Sequence, residues 1–301
     1  MENEFKTGFV TIIARPNVGK STMLNKIVGQ KIAITTNTAQ TTRTKIKGIL
    51  TSEKSQIIFI DTPGVHRPLN KLGEFLSSQT QSAVKDTDLI LYLTDVTSPC
   101  MRGDMWIYEN YLKDANAPVI LVFNKIDLVK NQEKLEANIY SYKKMFEKNI
   151  QTVRISAKTG KNFDSLIQCI EKYLPEGEML YPDDEITDQN MRMIASETIR
   201  EKIILNTRDE VPHSVAVLID SYKSEEDIDR ISATIYVSTD SQKGIIIGKN
   251  GSALKKIGME ARIELEKIAE KKIFLQLFVK VQKNWQKDSR AMKMLGLEDE
   301  R

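Results

Sequence analysis

Ala14-Arg15-Pro16-Asn17-Val18-Gly19-Lys20-Ser21, followed by Thr22, places a lysine and a hydroxyl directly behind a glycine. The segment falls where an apolar run, FVTII, gives way to helix-patterned sequence. Backbone N–H groups at a helix N-terminus lack intrahelical partners and sit at the positive end of the helix dipole, so they attract phosphate. Lys20 is spaced to bridge the terminal phosphates of a nucleotide, and Ser21 to offer its hydroxyl to Mg²⁺, a hard cation that prefers oxygen. Gly19 lets the main chain come close. The pattern is the phosphate-loop signature G-x-x-x-x-G-K-[ST] at every fixed position but the first, where Ala14 stands instead of glycine. The inward N–H groups belong mostly to later residues. The cradle is therefore expected to survive, and the methyl to be felt in nucleotide affinity or loop rigidity.

A second cluster follows the apolar run VILVF. Asn124-Lys125-Ile126-Asp127 has the N-K-x-D arrangement of GTPases. The Asp127 carboxylate is expected to accept from the ring N1–H and exocyclic amino group of guanine, a paired donor edge that adenine lacks. Asn124 would tie this loop to the phosphate loop and reach the base, while the Lys125 stem lies over the ring. Ser156-Ala157-Lys158 resembles the companion loop, with the Ala157 N–H donating to guanine O6. A site built to hydrogen-bond a base rejects the wrong one by roughly 10⁴-fold.

Asp61-Thr62-Pro63-Gly64 supplies the third cluster. Asp61 would hold Mg²⁺ through water and the Gly64 N–H would bond the γ-phosphate, with Thr62, Pro63 and Val65 beside them. Upstream, Gln40-Thr41-Thr42-Arg43 resembles a first switch, Thr42 being the second side-chain ligand to Mg²⁺. The expected metal set is Ser21, Thr42 and Asp61, and the expected catalytic set Asn17, Lys20, Thr42 and Gly64. Loss of the γ-phosphate would release the loop from Val65 to Lys71. Ras-like GTPases place a water-orienting glutamine after this glycine; Val65 cannot hydrogen-bond. Either hydrolysis is slow or another group acts. His66 is a candidate base, against the simpler account of a mobile switch residue.

The elements that must position these clusters alternate. Strands are predicted at Phe9–Ile13, Lys45–Leu50, Gln56–Ile60, Asp88–Thr94, Val119–Phe123 and Thr152–Ile155. Helical patterns lie between them at Lys20–Val28, Leu72–Val84, Met105–Asp114, Gln132–Phe146 and Phe163–Tyr173. Nearly all-apolar strands read as buried on both faces of a parallel sheet, a doubly wound α/β fold that binds ligands at the carboxyl ends of its strands. A first domain is assigned to residues 1–175. The stretch rich in Pro, Gly and acids from Leu174 to Asp188 marks a linker, placed at 176–190.

Residues 191–301 are expected to form a smaller α+β domain. It has a helix near Met191–Leu205, strands near Ser214–Tyr222 and Ile231–Ser238, a helix from about Ser252 to Glu270 and a last strand at Ile273–Val281. An apolar strand, Gly244–Ile247, is predicted to enter the turn Gly248-Lys249-Asn250-Gly251. This is the G-x-x-G turn of KH domains, whose glycines let the backbone approach a single-stranded sugar–phosphate chain. The implied order, α-β-β-α-β, is that of the second KH type. Ile247, Gly248, Lys249, Asn250, Gly251, Lys255 and Lys256 are the candidate RNA contacts. Lys243 to Lys293 carries thirteen Lys/Arg against five Asp/Glu. Such a basic face suits a polyanion, although a solvated helix has the same composition.

The chain has 301 residues, 41% apolar and 28% charged, ordinary for a soluble protein. Its net charge of +3 is too small to argue from. Cys100 and Cys169 show no metal-ligand spacing and read as reduced thiols. There is no signal-peptide pattern and no apolar run of membrane-spanning length, so a cytoplasmic location is expected.

Taken together, RPNVGKSTMLNKIVGQKIAIT, AQTTRTKIKGI, DTPGVHRP, NKID, SAKTG, IIGKNGSALKKIGMEARIELE and the tail from Trp285 to Gly296 resemble the Era family of bacterial ribosome-assembly GTPases over nearly the whole chain. Ala14 is the chief departure. The resemblance implies that GTP is bound and hydrolysed to GDP with Mg²⁺. It implies that the KH domain grips the 3′ end of 16S ribosomal RNA during assembly of the small (30S) subunit and that GTP favours this binding; a monomer is expected, though no residue pattern marks the oligomeric state. It also implies peripheral contact with the inner face of the cell membrane in some members. In related bacterial GTPases an asparagine matching Asn17 helps bind a K⁺ ion where an arginine finger would act. Two other readings stand beside this one: an RNA-binding assembly factor whose nucleotide site is mainly structural, and a membrane or signalling GTPase whose C-terminal domain docks protein. Single-turnover hydrolysis separates the first from the switch reading, and crosslinking of residues 244–256 to RNA separates the second.

Overall fold

The computed structural model describes residues 5–36, 42–146 and 149–297. The chain forms two compact units, the first built on residues up to 33, 42–69 and 76–188, the second chiefly on 189–301.

In the first unit, β1 (Lys6–Ala14), β3 (Ser55–Asp61), β4 (Leu89–Asp95), β5 (Val119–Asn124) and β6 (Gln151–Arg154) run parallel, and β2 (Ile46–Thr51) joins antiparallel at one edge. The order is β2-β3-β1-β4-β5-β6. The antiparallel edge departs from the all-parallel expectation because only a short turn separates β2 from β3, too short for a crossover. Helices α1 (Lys20–Val28), α2 (Lys71–Lys85), α3 (Arg102–Ile107, continued by a π-helical turn at Tyr108–Leu112), α4 (Gln132–Lys143) and α5 (Phe163–Glu171) complete the unit.

Alternate residues of each central strand enter different cores. Val10, Ile12, Leu89, Leu91, Leu93, Ile120 and Val122 pack with Met23 of α1 and Leu166 of α5. Ile13, Ile90, Tyr92, Leu121 and Phe123 pack with Ile107 of α3 and Ile139 of α4. Both faces being dry is why these strands show no polar alternation. The sheet thereby brings the carboxyl ends of β1, β3, β4 and β5 to one rim.

The stretch assigned to the linker is anchored for much of its length. Buried Gln56 accepts from the Leu180 N–H (2.7 Å) and donates to the Tyr181 carbonyl (2.8 Å). The Ile49 N–H of β2 donates to the Ile186 carbonyl at 2.9 Å, and Lys47 pairs with Asp188 at 2.8 Å. Ile186 packs on the core. These contacts satisfy an edge strand that would otherwise offer unpaired backbone.

The second unit holds α6 (Met191–Asn206), α7 (Val211–Ser214), β7 (Ala216–Ser224), β8 (Ile228–Val237), α8 (Asp240–Ile247), α9 (Ser252–Ala269), β9 (Lys272–Val281) and α10 (Ser289–Met294). β7 and β8 are antiparallel, β8 and β9 parallel. One face of this sheet is covered by Ile199 and Ile203 of α6, Ile246 of α8 and Ile257, Ala261 and Leu265 of α9.

The predicted strand Gly244–Ile247 is instead the end of α8. Thr239 caps that helix, its hydroxyl accepting from the Gln242 N–H while the Gln242 side chain accepts from the Thr239 N–H. A reciprocal cap of this kind outweighs the β preference of three isoleucines. Helical spacing then buries Ile246 and leaves Ile245 exposed.

Candidate functional site

The phosphate loop leaves β1 and enters α1 at Lys20. Gly19 has φ 101°, and a Cβ there would lie 2.6 Å from Asn124 Nδ2, so only glycine fits. Lys20 is buried, its Nζ 3.3 Å from Asp61 Oδ1. Ser21 Oγ donates to Asp61 Oδ2 at 3.0 Å and lies 3.3 Å from Thr42 Oγ1, which donates to the same Oδ2 at 3.2 Å. Asp61 Oδ1 makes no hydrogen bond although it is buried. Two hydroxyl oxygens thus converge on a carboxylate with spare acceptor capacity, three hard oxygen ligands in all, a set that suits Mg²⁺. Among the described residues no cluster of three His, Cys, Asp or Glu offers another metal site. Gln40 and Thr41 lie outside the described residues.

Other candidates are placed differently from expectation. Ala14 is fully buried at the end of β1, its methyl part of the core, so the missing glycine leaves no gap in the cradle. The Val65 side chain is in the other core and its N–H donates to the Ala14 carbonyl at 2.9 Å. Thr62 donates its hydroxyl to the Ile12 carbonyl at 2.8 Å and is likewise structural. These bonds fix the path of the D-x-x-G segment and bring Gly64 against Pro16, whose Cα is 3.2 Å from the position a Gly64 Cβ would occupy. Thr22 is exposed on α1. Burial lowers the His66 pKa, which favours a neutral imidazole.

In the guanine loop, Asn124 is a brace. Its Nδ2 donates to the Val18 carbonyl at 2.7 Å, and its Oδ1 accepts from the N–H groups of Lys125 (2.7 Å) and Ala157 (2.8 Å). The Ala157 N–H assigned to guanine O6 therefore meets Asn124 here. Lys125, at φ 67°, sends its Nζ to the Asn17 carbonyl (2.8 Å) and to Asp95 Oδ2 (2.7 Å). Buried Ser156 accepts from the Thr159 N–H through its hydroxyl, turning the loop on which Lys158 is exposed. Asp127 stands exposed on the turn Ile126–Leu128.

Two acidic residues in this network escaped the sequence reading. Asp95 ends β4 and accepts from Lys125 and from Thr97, N–H and hydroxyl. Burial raises its pKa, but these bonds outweigh that and hold it below the ordinary carboxylate value. Asp104 of α3 is 2% exposed and pairs with Arg15 Nε at 2.8 Å. The Arg15 side chain is thus turned toward α3, not into the cradle. Burial lowers the Arg15 pKa, the Asp104 charge raises it, and the net shift is upward. Breaking a pair of this kind by removing one partner costs about 3–5 kcal/mol, since a buried charge is left uncompensated. No local pattern marks either residue, because both contacts span distant parts of the sequence.

In the second unit Gly248 (φ 72°, ψ 176°) ends α8, and a Cβ there would stand 2.7 Å from that of Ala253. Asn250 is left-handed at φ 52°, and α9 starts at Ser252. Lys249, Asn250, Lys255 and Lys256 are exposed, while Ile247 and Gly251 are half-buried. Beside the turn lies an open groove of about 400 Å³. Leu254 and Gly258 of α9 and Leu275 and Leu277 of β9 line it, with Lys255 and Arg262 at its rim. An apolar floor with basic edges can take bases inside and phosphates outside.

A doubly wound sheet with a phosphate loop, an N-K-x-D turn and a convergent Ser/Thr/Asp set defines a P-loop GTPase, here joined to a G-x-x-G unit. The model described as 50S ribosome-binding GTPase matches residues 9–125, and the KH domain model matches 210–286. GTPase Era of Geobacter metallireducens is 48% identical over 297 residues, covering 98% of this chain and 99% of the relative. GTPase Era of Staphylococcus haemolyticus is 45% identical over 299 residues, covering 99% of each. Two solved structures superpose with a TM-score of 0.94 at 39% identity, covering 98% of this chain and all of theirs. One is Era in complex with MgGDPNP and nucleotides 1506–1542 of 16S ribosomal RNA. The other is an Aquifex aeolicus Era variant bound to GDP and AlF4⁻. The chain belongs to the Era family of GTPases. Among its described residues no helix is long and apolar enough to cross a membrane.

Proposed function

We propose that this GTPase acts as a switch in small-subunit assembly: it binds GTP with Mg²⁺, holds the 3′ end of 16S ribosomal RNA on its KH unit, and resets on hydrolysis to GDP. The observation that carries the reading is the convergence of Lys20, Ser21, Thr42 and Asp61 within hydrogen-bond or ion-pair distance. Those side chains come from three separate stretches of the chain and have no other chemistry in common.

In this reading the Val18–Thr22 amides and Lys20 bind the phosphates, and the exposed Asp127 carboxylate takes the guanine edge. Lys125 holds the Asn17 carbonyl, and so the crest of the loop, in place. Gly64 offers its N–H to the γ-phosphate. Ser21 and Thr42 hold Mg²⁺ directly and Asp61 through water; the ion neutralises charge on the phosphates. Val65 is committed to the core, so water must be oriented otherwise. K⁺ held with the help of Asn17 would supply positive charge where an arginine finger would act. Turnover should then run faster in K⁺ than in Na⁺, with the difference gone in Asn17→Ala; equal rates in the two salts for the unmodified protein would remove K⁺ from the account.

In the second unit the exposed Lys249 and Asn250 meet the RNA backbone, and the groove takes bases. The test is affinity for an oligonucleotide of the 16S 3′ end, measured by fluorescence anisotropy with GDPNP and with GDP. Tighter binding with GDPNP is expected. Equal affinity in both would reduce the protein to an RNA-binding factor with an uncoupled nucleotide site.

A further inference from the structure

Asp104 lies outside every motif of the nucleotide site, yet its carboxylate is one of the most enclosed in the first unit. Oδ1 accepts from the Tyr92 hydroxyl at 2.8 Å and faces Arg15 Nε at 2.8 Å. Oδ2 accepts from the Met101 N–H at 2.9 Å. Arg15 is the second residue of the phosphate loop, and its Nη2 also donates to the Tyr142 hydroxyl at 3.4 Å. Two residues on, the Asn17 carbonyl is held by Lys125. The crest Arg15-Pro16-Asn17 is therefore fastened at both ends, and Pro16 between them abuts Gly64. The amides that would hold the inner phosphates, from Val18 onward, are braced separately by Asn124 through the Val18 carbonyl.

We propose that Asp104 is a positioning residue for GTP hydrolysis: through Arg15 it fixes the crest of the phosphate loop against the segment that takes the γ-phosphate. The inference rests on the nucleotide-site reading above. It follows that loosening the crest should disturb the triphosphate step more than the grip on a diphosphate. A misplacement of about 1 Å at a reacting centre lowers rate by as much as about 10²-fold.

The experiment uses the full-length chain and its Asp104→Asn, Arg15→Gln and double variants. The readouts are single-turnover GTP hydrolysis, GDP affinity from a fluorescent GDP analogue, and Tm. In Asp104→Asn, hydrolysis should fall about tenfold or more while GDP affinity changes less than about threefold. Arg15→Gln should share that split and lose more Tm, since it strands a buried carboxylate. The double variant should be no slower than the slower single one, because both break one contact. Unchanged hydrolysis in Asp104→Asn would overturn the proposal. So would parallel losses of hydrolysis, GDP affinity and Tm, which would mark the residue as a fold support only, and so would additive losses in the double variant. Should Asp104→Asn fail to fold, Arg15→Gln on the partly exposed loop reads the same split. If the unmodified protein binds no guanine nucleotide, the nucleotide-site reading fails instead, and the two failures are told apart.

Discussion

Two glycine-bearing turns in this molecule, both proposed to meet phosphate, are held in opposite ways. The phosphate loop is braced from a distance: Asn124 grips the Val18 carbonyl, Lys125 the Asn17 carbonyl and Asp104 the Arg15 guanidinium. The G-x-x-G turn is held locally, by the positive φ of Gly248, Asn250 and Gly251 and by the helix that ends before it and the helix that starts after it. Its own polar side chains, Lys249 and Asn250, point to solvent. A turn that must fix a reacting group needs outside support, whereas one that grips a flexible polymer can leave its contacts free to adapt.

That contrast can be broken by substitution. Gly19→Ala should do the most harm, since the methyl meets the Asn124 brace at a backbone angle that L-residues avoid. Nucleotide affinity should drop on the order of 10²-fold by calorimetry, with RNA affinity in the absence of nucleotide unchanged. A loss below about threefold would mean the brace yields easily. A smaller effect is expected from Lys249→Ala combined with Asn250→Ala. RNA affinity should fall about tenfold and the salt dependence of binding should flatten by about one counterion, with RNA-free GTP turnover untouched. A matching fall in turnover would show that the turn is not locally self-sufficient.

The same contrast explains what could be read from sequence. Residues 14–21, 61–64 and 124–127 are contiguous and chemically distinctive, and the alternating apolar runs revealed the sheet that carries them. Asp95 and Asp104 were invisible, because each works through a partner about 30 to 90 positions away that only the folded sheet brings near. Arg15 and Val65 sit inside or beside recognisable motifs, yet tertiary packing turns the Arg15 side chain to Asp104 and the Val65 side chain into a core. The helix at Gly244–Ile247, where an apolar strand is expected, has a local cause: the Thr239 cap starts it and overrides the β preference of three isoleucines. The stretch after Leu174 reads as free linker in sequence since its anchors, Lys47, Ile49 and Gln56, lie in distant strands that only folding brings to it.

Selection of guanine for the braced cradle is proposed to rest on the exposed Asp127 carboxylate. Titration calorimetry of GDPNP and of a non-hydrolysable ATP analogue, on the unmodified chain and on Asp127→Ala, tests it most directly. A preference for the guanine nucleotide of roughly 10⁴-fold is expected, falling by about 10²-fold or more in the variant. Comparable affinity for both nucleotides in the unmodified chain, or an undiminished preference in the variant, would contradict it.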